Sequence, residues 1–209
     1  NQELNPNVAF SDSIQAGIYM KHPRIIRIKA DMVDQMDYDK ILSMYQDRFK
    51  DASDFTFIFV GNVDVEKMKP VIAEYLGALP AVNRKETFKD NKIEMRQGIY
   101  KNEFTKQQET PKASVFAFYN GDCKYDLRNN LLLSMTSQIL DLVYTEKVRE
   151  DEGGTYGVYV GGTLQKYPKE KAILQIIFDT APEKKEKLMK IIFGEIDNIT
   201  KTGPSEANL

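Results

Sequence analysis

Between Ala113 and Gly203 the hydrophobic pattern switches period three times, and that succession constrains the fold more than any other feature of the chain. Ala113 to Tyr119 is a short β-branched and aromatic run of strand type. Asp126 then stands as an N-cap before a long helical pattern through Leu127, Leu131, Met135, Ile139, Leu142 and Val143, to about Glu150. Thr155 to Gln165 reads as a strand. Tyr167-Pro168-Lys169-Glu170 is a turn, and Ala172 to Phe178 is its hairpin partner. Pro182 suits a first helical position. The helix it opens places Leu188, Ile191, Ile192, Ile196 and Ile199 on one stripe and stops at Gly203-Pro204. Strand, helix, strand, strand, helix predicts an α+β fold: a mainly antiparallel sheet with helices on one face.

The first half is less regular. Residues 1–36 are polar, with Pro6 and Pro23 interrupting long elements. A helix is expected from the Asp37 cap, with Ile41, Leu42, Tyr45 and Phe49 on one face. Phe55 to Val60 is dense in aromatic and β-branched residues and predicts a buried strand. Asp64 caps a further helix with Met68, Val71, Ile72, Tyr75 and Leu76 inward, Pro70 near its first turns, and a stop at Gly77 and Pro80. Residues 81–112 are charge-rich, with GIYKNEF as an edge strand. The organisation expected is 1–82, a connecting stretch 83–112, and 113–209.

Composition removes several classes of function. Lys and Arg total 29 and Asp and Glu 31, interleaved along the chain, so no basic face for nucleic acid is expected. No apolar run approaches the roughly 18 residues of a membrane span. One cysteine, Cys123, excludes an internal disulfide. With one histidine, His22, there is no His-x-x-Glu-His, His-Glu-x-x-His or CxxC pattern, so no metal site and no cofactor are expected here. His22 reads as a solvated loop residue before Pro23. Asn1 and the closing GPSEANL, where Pro204, Ser205 and Glu206 resemble a first helical turn, suggest a segment of a longer protein.

The stretch VREDEGGTYGVYVGG, Val148 to Gly162, carries the chemistry. A helix end, a Gly153-Gly154 reversal and a glycine-interrupted strand put Arg149 and Tyr156 at the two lips of one bend. The two-residue period places Tyr156, Val158, Val160 and Leu164 on one face. Gly157, Gly161 and Gly162 leave backbone bare, as at a bulge or close approach. A guanidinium offers a fixed fork to carbonyl oxygens, and a phenol can donate to an oxyanion. The structural alternative is a helix-end cation satisfied by Glu150 or Asp151, with Tyr156 a core aromatic.

Three landmarks resemble the pitrilysin, or insulinase, family of inverted-motif zinc metallopeptidases. They are MYQDRFKDASDFTFIFVGNVD, YLGALP and KVREDEGGTYGVYVG, in the family's order and covering most of residues 37–203. The wording DASDFTFIFVGNVD is most similar to PqqL-type members, in the C-terminal half. The resemblance implies four related α+β domains forming two halves that close around a chamber. Zinc belongs to the N-terminal half, on His-x-x-Glu-His and a later Glu. This chain would span the end of the third domain and most of the fourth. The family's Arg and Tyr fall on Arg149 and Tyr156, for substrate positioning and oxyanion stabilisation, and its glycine pattern falls on Gly153, Gly154 and Gly157 beside the substrate. Implied partners are the N-terminal catalytic half and a peptide or small protein substrate, and the implied compartment is the periplasm. A catalytically inert structural or binding subunit of the same fold is the rival expectation. A thiol enzyme built on Cys123 would have only His22 as a histidine partner.

Overall fold

The computed structural model describes residues 4–150 and 155–206, with the backbone alone for 149, 150, 155 and 156. The chain divides into two compact units, residues 26–91 and residues 1–25 with 92–209.

The larger unit contains the sheet. Strands β1 (Ala113–Asp122), β2 (Thr155–Gln165) and β3 (Lys171–Thr180) form an antiparallel sheet in the order β1-β3-β2. β1 pairs with β3 from Ala113↔Thr180 to Asp122↔Lys171, and β2 pairs with β3 from Gln165↔Lys171 to Thr155↔Thr180. Both outer strands are antiparallel to β3 and so parallel to each other. Helix α5 (Leu127–Tyr144) is therefore a crossover spanning the central strand. A π-helical turn, Thr145–Glu150, extends α5. After β3, a 3-10 turn (Pro182–Lys184) leads into α6 (Lys185–Thr202).

The core lies on one face of the sheet. Val160, Ile176 and Phe178 meet Leu140, Tyr144 and Val148 from the α5 side and Leu188 and Ile192 from α6. The α+β architecture expected from the second half is the one observed, with every expected element present. Asp126 caps α5 by accepting from Asn129 N at 2.9 Å, and α6 ends at Gly203, whose φ of +74° favours glycine. One expectation is refined. The stripe Leu127, Leu131, Met135 and Leu142 is the outward face of α5, and Ser137, Leu140, Val143 and Tyr144 are the buried residues.

The same unit holds α1 (Pro6–Ile18), the first helix of the chain. Arg96 fastens its C-terminal end. The Arg96 N–H donates to Ile18 O at 2.7 Å and its Nε to Gly17 O at 2.8 Å, while the guanidinium lies 4.1 Å from the Tyr100 ring centre.

In the smaller unit α2 (Ala30–Val33) precedes α3 (Tyr38–Phe49) and α4 (Val65–Tyr75). Asp37 and Asp64 cap α3 and α4 as the sequence indicated, accepting from Lys40 N and from Glu66 N and Lys67 N. Pro70 stands inside α4 and forgoes one intrahelical bond. Residues 55–60 differ from expectation. They pair in no sheet, and their side chains, up to Val60 at 91% exposure, face outward. A strand exists only with a neighbour to take its N–H and C=O groups, and no described residue supplies one. Asp51 organises this unit. Its carboxylate accepts from Ser53 N, Ser53 Oγ, Val82 N and Arg84 N, tying residues 82–84 to the end of α3.

Candidate functional site

The bend is bracketed by two well-anchored elements. On the helical side, the buried Tyr144 hydroxyl donates to Ile192 O at 3.0 Å. Burial pushes the Tyr144 phenol well above the ordinary tyrosine range, so it stays neutral and keeps that bond. Val148 is buried in the core, and Lys147 pairs with Glu195 of α6 at 2.5 Å. The π turn carrying Arg149 is thus tied to α6 through Lys147 and to the core through Val148. A π turn inserts an extra residue relative to an α turn.

On the strand side the ladder is regular from Gln165 back to Val158, which faces Phe178. It resumes only at Thr155, which faces Thr180. Tyr156 and Gly157 together therefore oppose the single residue Asp179, which is a β-bulge. Gly157 has φ +122°, a region closed to most side chains, and open space where a Cβ would stand. The two-residue count that joined Tyr156 to Val158 and Val160 thus crosses a bulge. Two inward positions further along, Gly162 has another role. A Cβ there would come 2.9 Å from Leu133 Cγ, so this glycine lets α5 lie close on β2.

Asp179 and Thr180 form the floor of the bulge. Burial of Asp179 opposes its charge, but hydrogen bonds from Lys112 Nζ at 2.8 Å and Ser114 Oγ at 2.5 Å prevail and hold its pKa below the usual value. Thr180 is 4% exposed, and its Oγ1 has no hydrogen-bond partner among the described residues. Nothing in the sequence singles out Thr180, since an orphaned hydroxyl is visible only once the neighbours are placed.

Of the residues proposed from sequence, Arg149 is placed by its backbone in the π turn and Tyr156 in β2, one at each lip. Their side chains, and Gly153 and Gly154, lie outside the described residues. Gly157 is placed at the bulge. His22 accepts from Arg24 N at 3.2 Å through Nδ1, within an exposed turn. Among the described residues no group of three or more His, Cys, Asp or Glu side chains could hold a metal ion, and no helix is long and apolar enough to cross a membrane. The zinc implied by the sequence resemblance finds no ligand set among these residues.

Residues 35–209 match the family model described as the peptidase M16 inactive domain. A zinc protease PQQL-like protein of Arabidopsis thaliana is 21% identical across the whole chain, which spans 23% of that relative. The periplasmic protease PqqL from Escherichia coli superposes on 98% of the chain with a TM-score of 0.73 at 19% identity, and the chain spans 22% of it. A peptidase M16 inactive domain from Pseudomonas fluorescens superposes on 99% with a TM-score of 0.70 at 22% identity, with half of that chain covered. The chain thus spans under a quarter of each of these two proteases. The family resemblance carried by the bend and the Val-Gly-Asn-Val-Asp segment is the one the family model identifies, and the chain belongs to the M16 peptidases, in their inactive domain.

Proposed function

We propose that this chain is the substrate-clamping, non-catalytic part of a zinc-dependent endopeptidase that encloses peptides before cleaving them. The observation that carries the reading is the bend itself. By the sequence resemblance, the family's Arg and Tyr fall at a π turn and at a bulged strand start, in a chain that matches the inactive domain. Flanking elements packed against the core can present side chains with little reorganisation when a peptide arrives, which is the condition for useful electrostatic stabilisation.

The partner is the zinc-bearing N-terminal half of the same parent protein, where the metal would activate the attacking water. Arg149 orients the peptide backbone through its forked donors. Tyr156 donates to the carbonyl oxygen as negative charge develops on it. Gly153, Gly154 and Gly157 leave room for the peptide beside the bend. By likeness to PqqL, described as periplasmic, the compartment is the periplasm.

Both groups act most strongly in the closed state, so their loss falls on turnover more than on binding. In the full-length peptidase, Arg149→Lys keeps the charge and loses the fork. The expected result is a fall in kcat of about tenfold or more with KM changed by less. Wild-type kcat in that variant removes Arg149 from the reaction.

A further inference from the structure

We propose that the row Phe116, Ile177 and Tyr159, on the sheet face turned away from α5 and α6, receives an aromatic or large aliphatic side chain of the peptide gripped at the bend. The proposal deepens the clamping reading and rests on it for the identity of the occupant.

The row follows from the register. Val115, Ala117, Val158 and Leu174 pack against the core, so the alternate residues of each strand belong to the opposite face. On that face Phe116 of β1 stands across from Ile177 of β3, and Ile177 across from Tyr159 of β2. The next rung of the same face is Phe118, Gln175 and Gly161. A sheet with helices on one side alternates apolar residues inward with polar ones outward. Here the outward side carries two stacked phenylalanine rings 6.2 Å apart, a half-buried isoleucine and a tyrosine that is 57% exposed. Apolar groups lined up on an open face mark a place where something binds. Gly161 shapes that surface. A Cβ there would stand 2.9 Å from the Tyr159 hydroxyl oxygen and 3.1 Å from Gln175 Nε2. The glycine thus lets the Tyr159 ring lean along β2 above it, and sets an amide donor beside the apolar row.

Position names the occupant. Far from the bend, Asn120 of this face is taken up by residues 96 and 97: its Nδ2 donates to Arg96 O at 3.2 Å, and its Oδ1 accepts from Gln97 Nε2 at 3.1 Å. Toward the bend, the next rung is Ser114 and Asp179, across from the bulge, where Gly157 leaves open space. Tyr159 is two residues from Gly157, about 7 Å along the strand. An extended peptide covers that distance in two residues. A side chain two or three positions from the carbonyl held at the bend therefore reaches the row. Three partly covered side chains offer far less than the roughly 800 Å² per partner of a stable protein–protein interface. They suit one side chain of a peptide, whose transfer from water favours binding in proportion to its apolar area.

The test is photo-crosslinking on the full-length protein. The probe is a substrate peptide carrying p-benzoylphenylalanine at one position at a time, from three residues before the cleaved bond to three after it. From at least one position, adducts should map to Phe116, Tyr159 or Ile177. An unlabelled peptide with Phe at that position should suppress them at a concentration at least about fivefold below that needed by its Ser counterpart. Tyr159→Ala should bring the two competitors to within about twofold of each other, while Tyr159→Phe, which keeps the ring, should preserve the difference. Adducts confined to other surfaces, or none at all, mean that another part of the parent protein or a second copy covers the face, and they overturn the proposal. Equal competition by the Phe and Ser peptides in the wild type overturns it too, as does a difference that survives Tyr159→Ala. If Tyr159→Ala does not fold, the wild-type adduct map and competition still decide. Adducts on the row with wild-type kcat in Arg149→Lys remove the clamp alone. Adducts elsewhere with a slowed Arg149→Lys remove the row alone, so the two readings fall separately.

Discussion

Asp51 shows how much one side chain can hold together. It is 3% exposed and accepts four hydrogen bonds, two from the nearby Ser53 and two from residues more than thirty positions away. The Ser53 hydroxyl is the largest contributor to a folded pKa far below the ordinary 3.8, and the backbone donors of Arg84, Val82 and Ser53 outweigh desolvation with it. The sign of the linkage follows. A carboxylate depressed in the folded state contributes stability that is complete above its unfolded value, near 3.8, and is lost as pH falls toward the folded value. Asp51→Asn should therefore be less stable than the wild type at pH 7. The difference should shrink once pH drops below about 4, as chemical denaturation at several pH values can measure. A difference that does not vary with pH means that Asp51 acts through shape alone. Nothing in the sequence marks this residue, because its distant partners, Val82 and Arg84, lie in a stretch without periodicity.

At the scale of elements, α5 and α6 illustrate what periodicity can settle. In α6 the apolar stripe is single, and the residues read as inward are the ones at or beside the core, with Leu188 and Ile192 fully buried. In α5 two apolar stripes lie on different sides of one helix, and only tertiary contacts choose between them. Leu140, 2% exposed, fills the core, while Leu131, 53% exposed, lies on the outward stripe. Leu140→Ala should cost roughly 2–5 kcal/mol in urea denaturation, and Leu131→Gln no more than about 0.5 kcal/mol. Comparable costs would mean that the outward stripe is covered in solution. The antiparallel hairpin, the caps at Asp37, Asp64 and Asp126 and the glycine stop at Gly203 were legible because each is a local device. The glycines of β2 were legible as well, since a bulge or close approach is what glycine inside a strand indicates, and the structure has both, at Gly157 and Gly162; the unpaired course of residues 55–60 was not, because it depends on which strand lies alongside.

For the molecule as a whole, the inactive-domain match defines what the chain lacks as well as what it holds. It carries a sheet, two helices on one face and an anchored bend, and among its described residues no metal ligand set. In the clamping account, such a part works by presenting groups to a peptide held together with the other half of the parent protein. The likeness to PqqL covers under a quarter of that protease, so the catalytic consequence must be read in the full-length enzyme. The most direct measurement is the steady-state cleavage of a peptide by the full-length protein carrying Tyr156→Phe, which deletes one hydroxyl and preserves the ring. The clamping account predicts that kcat/KM falls at least about tenfold, chiefly through kcat. Turnover equal to wild type would contradict it and leave Tyr156 a structural aromatic.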